Sequence, residues 1–165
     1  GVSSAASDVY KRQSMDQDMV AIPIGPKRQR MGAAASPAYL ARHGRPTHPD
    51  DLRNHLCLRG RFSSGAMPAW VFEQPGKRVT VDVDGPLIVS LGEAADLAVD
   101  AAVGGAGVVY LFEDWLQPYL DRGELEPLLQ DWWPSFTGPL LYFPGRRYLP
   151  APLRAFVDFV QTQRW

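Results

Sequence analysis

The sequence predicts an α/β layered domain. The apolar pattern changes period several times along the chain, short strand-like runs alternating with runs spaced for helices, and such a chain folds into packed layers of both. Gly and Pro punctuate the early strand-like runs, as at Gly25-Pro26. A length of 165 residues with 45% hydrophobic side chains suffices for one domain of ordinary size with a core.

Composition excludes several classes of function. Lys and Arg number 17 against 18 acids and are scattered, so the chain has no electrostatic footprint for a phosphate backbone and is not expected to bind DNA by itself. One cysteine cannot close an internal disulfide, and Cys57 between Leu56 and Leu58 reads as a small core residue, which fits a reducing cytoplasm. No apolar run reaches the roughly 18 residues of a membrane span, and the first 30 residues lack the apolar stretch of a secretion signal.

The elements follow in order. Met19 to Ile24 reads as a strand ended by Gly25-Pro26, and Gln29 to Ala35 as a second extended stretch. Ser36 is placed to cap a short helix with Pro37 at its first position, where the missing N–H costs nothing. Thr47 and Asp50 have capping-box spacing for another start. Leu56 to Arg61 and Trp70 to Glu73 are predicted strands, Val79, Val81 and Val83 alternate as one buried strand face, and Leu87 to Val89 gives a further strand. Ser90 and Glu93 form a second capping box, opening a helix that runs to about Val103 and stops at Gly104-Gly105. Ala94, Leu97, Ala98 and Ala101, with their neighbours, cover nearly its whole circumference, so packing is expected on both sides. Val108 to Leu111 reads as a short buried strand, Trp115 to Leu120 as a helical turn or two, and Leu140 to Phe143 as the last strand. In the final helix Leu153, Phe156, Val157 and Val160 form a single stripe.

An ordered series of segments points further. Asp18 to Pro26, Ala35 to Gly44 and Tyr142 to Phe159, with Pro49-Asp50-Asp51-Leu52, Gly105-Ala106-Gly107-Val108-Val109 and Gly123-Glu124-Leu125 between them, resemble the effector-binding domain of LysR-type transcriptional regulators. The resemblance runs from about Ser14 to about Val160. It implies the fold of type 2 periplasmic-binding proteins, two α/β subdomains with a ligand cleft between them, the second nearly complete here and the first only partly present. On that frame residues 1–13, which match nothing in the family and lack an initiator Met, are an unmatched lead. Residues 14–34 are a remnant of the first subdomain with a crossing strand, 35–145 the second subdomain, and 146–165 the return crossing with the last helix. The resemblance also places the helix after Ser90 in a dimer interface through Ala94, Leu97, Ala98 and Ala101.

Carried over by position, the family's cleft-lining places fall at Arg61, Phe62, Ser90, Leu91, Gly92 and Phe112, the last replacing a Pro common there. Ser36 and Ser90, as helix caps, add free N–H groups suited to an anionic ligand, and Arg61 is placed to pair with a carboxylate. The implied function is effector sensing for a regulator whose DNA contact lies in a winged helix-turn-helix absent from these residues. The implied partners are a small organic, anionic effector and further copies of the regulator, as a homodimer or homotetramer in the cytoplasm, with no cofactor, no metal and no membrane.

Competing readings have weaker support. Gly104-Gly105-Ala106-Gly107 follows a helix and precedes a strand, the reverse of a dinucleotide loop, and reads as a helix end. His43, His48 and His55 lack zinc-site spacing and read as solvated. Ser63 is in no nucleophile elbow, and Asp82 with Asp84 reads as solvent-facing, so catalysis is not expected. Trp132-Trp133 reads as loop packing or a rim of the cleft, with no nearby Lys or Arg to make it a stacking surface for bases. A solute-binding protein of the same fold, or a fragment without activity, are the rival functions.

Overall fold

The structure is a computed structural model describing residues 19–145 and 148–165. The lead of residues 1–13, residues 14–18 and Arg146-Arg147 of the expected return crossing lie outside the described residues. The chain divides into two compact units. A smaller one joins the segment ending at Arg28 to Thr137–Trp165, and a larger one comprises Gln29–Phe136.

In the smaller unit β1 (Met19–Pro23) runs antiparallel to β10 (Leu140–Pro144), with Val20 opposite Phe143 and Ile22 opposite Leu141. Ile22 of β1 is buried, while Val20, two residues back on the same face of the strand, is 39% exposed. Helix α4 (Ala151–Thr162) lays Leu153, Val157 and Val160 on Ile22 and Phe143. Phe156, expected in that stripe, is 48% exposed. Positions 153, 157 and 160 already fill the contact face, and 156 falls on its flank.

The larger unit is built on a sheet ordered β6–β3–β7–β2–β8, from β2 (Arg28–Ala35), β3 (Cys57–Arg61), β6 (Leu87–Ser90), β7 (Val108–Phe112) and β8 (Glu126–Leu128), with β9 (Ser135–Thr137) beside β2. β3 pairs parallel with β6 and β7, while β2 runs antiparallel to β7 and β8. Both faces are covered, which explains why the central strands are apolar at consecutive positions. Ala33, Ala35, Cys57 and Val108 face one core, and Ala34, Leu58 and Val109 face the other. The first core is closed by Tyr39 of α1 (Pro37–His43), Leu52 of a 3-10 turn (Pro49–Asn54), and Trp70, Phe72 and Val81 of the hairpin β4 (Trp70–Gln74) and β5 (Lys77–Val81). The second is closed by Ala98, Val99 and Ala102 of α2 (Ala95–Val103) and Leu116 of α3 (Glu113–Asp121).

Local signals held where the chain stayed free to use them. Ser36 Oγ accepts from the Tyr39 N–H at 3.1 Å and Pro37 opens α1. Elsewhere they shifted. The 3-10 turn starts one residue later than Thr47 and Asp50 imply: His48 is its cap, and Asp51 Oδ2 accepts from the N–H groups of Thr47 (2.9 Å) and His48 (3.0 Å). The capping box at Ser90 and Glu93 does not form. Ser90 remains in β6 opposite Arg61, the Leu91 N–H donates to the Arg61 carbonyl, and Gly92 turns through φ +95°. The helix therefore begins at Ala95, behind an Ala94 cap that offers no side-chain bond. Its stop at Gly104 stands, with Gly105 at φ +85° in the left-handed region that glycine tolerates.

The division of the chain also differs from the expected one. β2, expected as a crossing strand, is woven into the larger sheet by ladders on both sides, and β10, expected in the larger unit, pairs with β1 in the smaller. Among the described residues no helix is long and apolar enough to cross a membrane.

Candidate ligand site

The carboxyl ends of β3, β6 and β7 point the same way, and a cavity of about 550 Å³ opens just beyond them. Parallel strands feeding helices leave such a crevice where the chain turns away from the sheet. Phe62 follows β3, Leu91 and Gly92 follow β6, Phe112 ends β7, and all four line the cavity. Trp115 of α3 and the pair Trp70 and Tyr110 complete the wall. Trp70 and Tyr110 are stacked at 5.1 Å and 20°, and Phe112 meets Trp115 edge-on at 5.7 Å and 70°.

Two features fix this wall. A Cβ on Gly60 would fall 2.6 Å from Leu91 Cγ and 2.8 Å from its Cδ1, so only glycine lets Leu91 lie across the end of β3. The Tyr110 hydroxyl donates to the Val71 carbonyl at 2.7 Å. Burial pushes that phenol up from its ordinary value, so it stays neutral.

Beside the cavity, Arg30 and Glu113 form a fork: Nε donates to Oε2 at 2.8 Å and Nη2 to Oε1 at 2.6 Å. That hydrogen-bonded pairing holds the Glu113 carboxyl below its usual range and raises the Arg30 guanidinium above its own. Arg30 also lies 5.1 Å over the ring of Trp133, which packs against Gly32 and donates Nε1–H to the Leu128 carbonyl at 2.8 Å. Trp132 and Trp133 are thus buried packing residues.

The remaining expected site residues lie elsewhere. Arg61 and Ser90 are exposed at the paired ends of β3 and β6, outside the lining. Ser36 is 2% exposed at the opposite end of the sheet, because β2 runs antiparallel to β7 and ends where β7 begins. Its oxygen serves the Tyr39 N–H alone. Gly60, Trp70, Tyr110 and Trp115 were missed by the sequence reading. Their signal was topological, the shared direction of β3, β6 and β7.

The polar groups that suggest chemistry have structural partners. The Tyr39 hydroxyl accepts from the Leu56 N–H at 3.0 Å, leaving its proton for His55 Nδ1 at 2.8 Å, and His43 stacks on the Tyr39 ring at 4.4 Å. Burial, then the neighbouring His43, lowers the His55 pKa, which favours the neutral ring. His48 caps the 3-10 turn through Nδ1. His48 and His55 therefore are not merely solvated. Arg59 pairs with the exposed Asp84 at 2.9 Å. Burial pushes the Cys57 thiol up to about 12, leaving it unreactive as a nucleophile.

Comparison with known proteins places this arrangement. The family model of the LysR substrate binding domain matches residues 9–165. The HTH-type transcriptional regulator YcaN of Escherichia coli is 38% identical over 148 residues, covering 90% of this chain and 47% of the relative. A putative transcriptional regulator of Pseudomonas aeruginosa is 41% identical over 152 residues, covering 92% and 48%. The chain thus spans about half the length of these curated relatives. Among solved structures, full-length AphB of Vibrio cholerae, a virulence activator, superposes with a TM-score of 0.69 at 26% identity, over 89% of this chain and 48% of that one. The regulatory domain of CrgA from Neisseria meningitidis superposes with a TM-score of 0.64 at 26% identity, over 88% and 68%. The relatives are transcriptional regulators rather than enzymes.

Proposed function

Because the chain belongs to the LysR family as a substrate-binding domain, we propose that it is the sensing domain through which a longer regulator reads a small organic effector, held in the pocket beyond β3, β6 and β7. The observation that carries this is the pocket itself: Phe62, Leu91, Gly92 and Phe112 converge on it from three separate strand ends, and it has the size of a small-molecule site. The domain performs no catalysis of its own. Its effector acts by favouring one arrangement of the regulator over another, since equal affinity for both would regulate nothing. DNA contact belongs to a winged helix-turn-helix in the rest of the regulator, a reading supported by the HTH-type names of relatives about twice as long. The regulator works in the cytoplasm, where its operator is.

A thermal-unfolding screen of small organic compounds tests the pocket, because a ligand that binds only the folded state raises the midpoint. Leu91→Trp, which fills the cavity from the end of β6, is expected to abolish the shift produced by every hit while its own unliganded transition stays cooperative. Hits that shift the variant as they shift the parent chain would remove the pocket from effector binding.

The outer face of α2 is the proposed contact between copies. Leu97 is 54% exposed, with Ala94 and Ala101 partly exposed on the same side of the helix. Ala98 drops out of that surface, since it is 3% exposed and packs into the second core. Leu97→Glu is expected to shift sedimentation toward monomer with the unfolding midpoint nearly unchanged, as it leaves the core untouched. An unaltered dimer by analytical ultracentrifugation would exclude this face.

A further inference from the structure

The lining of the pocket also identifies a class of ligand, an inference that rests on reading this pocket as the effector site. We propose that the effector presents an uncharged, flat, apolar ring system to this wall, rather than a carboxylate or phosphate. No charged side chain is in the lining. Arg30, next to the lining residue Met31, is paired through Nε and Nη2 with both oxygens of Glu113. Arg59 is paired with Asp84 and lines the adjoining cavity on the other side of Pro68 and Trp70, and Arg61 lies outside the lining at the end of β3. The Tyr110 hydroxyl has its proton committed to the Val71 carbonyl. An anion seated here would lose its water without gaining a side-chain counter-charge, which is costly.

The aromatic groups supply what a ring needs. The Trp70–Tyr110 stack offers a flat surface, and Phe112 set edge-on to Trp115 offers a second wall at a steep angle to its neighbour. Planar ligands gain from both stacked and edge-to-face contacts. Gly92 keeps the rim open, as no atom lies within 4 Å of where its Cβ would be. The expectation of an anionic ligand, which rested on Ser36, Ser90 and Arg61, has none of those residues in the lining.

The test is a ligand-observed NMR titration of the 165-residue chain with indole, indole-3-carboxylate and glutarate. Indole is expected to bind about tenfold or more tightly than its carboxylate, since the added charge is desolvated without a partner, and glutarate is expected not to bind. Phe112→Ala and Trp115→Ala should each weaken indole binding by about fivefold, with cooperative unfolding retained as the check on folding. Tighter binding of indole-3-carboxylate or glutarate, sensitive to the same two substitutions, would overturn the ligand class and leave the pocket as the effector site. Indole binding that ignores Phe112, Trp115 and Leu91→Trp, or no binding by any of the three, would also overturn the class. The pocket's role as effector site is judged separately, by whether library hits respond to Leu91→Trp.

Discussion

Gly85→Ala is expected to destabilise the larger unit by about 3 kcal/mol, because the added methyl has nowhere to go. Its Cβ would land on the Cys57 carbonyl oxygen and 2.6 Å from the Cys57 nitrogen, both backbone atoms of the strand β3. The approach is held by the Cys57 N–H donating to the Asp84 carbonyl at 2.9 Å, which draws the segment before β6 onto the start of β3. Relief requires breaking that bond or displacing a strand buried on both faces, so the strain cannot be absorbed by a side-chain rotation. Gly104→Ala is the control. Gly104 has φ −70° and ψ −2°, and its Cβ would meet nothing nearer than 3.4 Å, so the change should be neutral or stabilise by about 0.5 kcal/mol through the unfolded chain. Urea unfolding of the two variants separates the cases, and equal midpoints would mean that the close approach at Gly85 does not constrain the fold.

Phe72→Ala is expected to cost about 3–5 kcal/mol, the range for emptying a fully buried aromatic site. Phe72 is 0% exposed, projecting from β4 into the first core and lying 5.4 Å from the Tyr110 ring. The hairpin that carries it covers one face of the sheet with Trp70, Phe72 and Val81, so the cavity would open beneath the Trp70–Tyr110 stack that floors the pocket. Weakened ligand binding should accompany the lost stability. Phe159→Ala, at a side chain 61% exposed, is expected to change stability by less than about 0.5 kcal/mol. Thermal or urea denaturation ranks the pair, and a Phe72→Ala variant as stable as Phe159→Ala would mean that the hairpin does not close the core.

These two phenylalanines show how far the sequence could be read. Each sits in a run with apolar neighbours; helical spacing leaves Phe159 off the stripe of Leu153, Val157 and Val160, whereas nothing local marks Phe72 as the residue that fills a core. The strands were legible within a residue or two, because burial on both faces demands consecutive apolar positions, as at Ala33 to Ala35 and Val108-Val109. β8 and β9 were not foreseen. Their three-residue spans, Glu126–Leu128 and Ser135–Thr137, are too short to show a period.

Part of the pocket was legible for a similar reason. Phe62, Leu91, Gly92 and Phe112 follow directly from strand ends that the ordered family segments locate. Ser36 lies outside the pocket lining, and its local chemistry, a helix cap, is the same at either end of a sheet. Only the antiparallel entry of β2 beside β7 puts it far from the pocket wall. Ser90 and Glu93 have sound capping-box spacing, yet pairing of Ser90 with Arg61 and the turn at Gly92 outweighed it. Sheet hydrogen bonds extended β6 by one residue, and the helix had to begin later.

By itself the sequence determined the α/β class, the positions of the longer strands, the Ser36 cap, the stop at Gly104 and the family. All of these are set by residue type and spacing over a few neighbours, or by an ordered series of short segments. The tertiary structure decided which apolar residues are core and which are surface, as with Val157 against Phe156 and Ala98 against Leu97. It also decided that Trp70 and Tyr110, 40 positions apart, stack to floor a pocket without charge. Such pairings depend on strand order and direction, which are chosen by burial summed over the whole sheet and leave no mark in any local stretch of sequence.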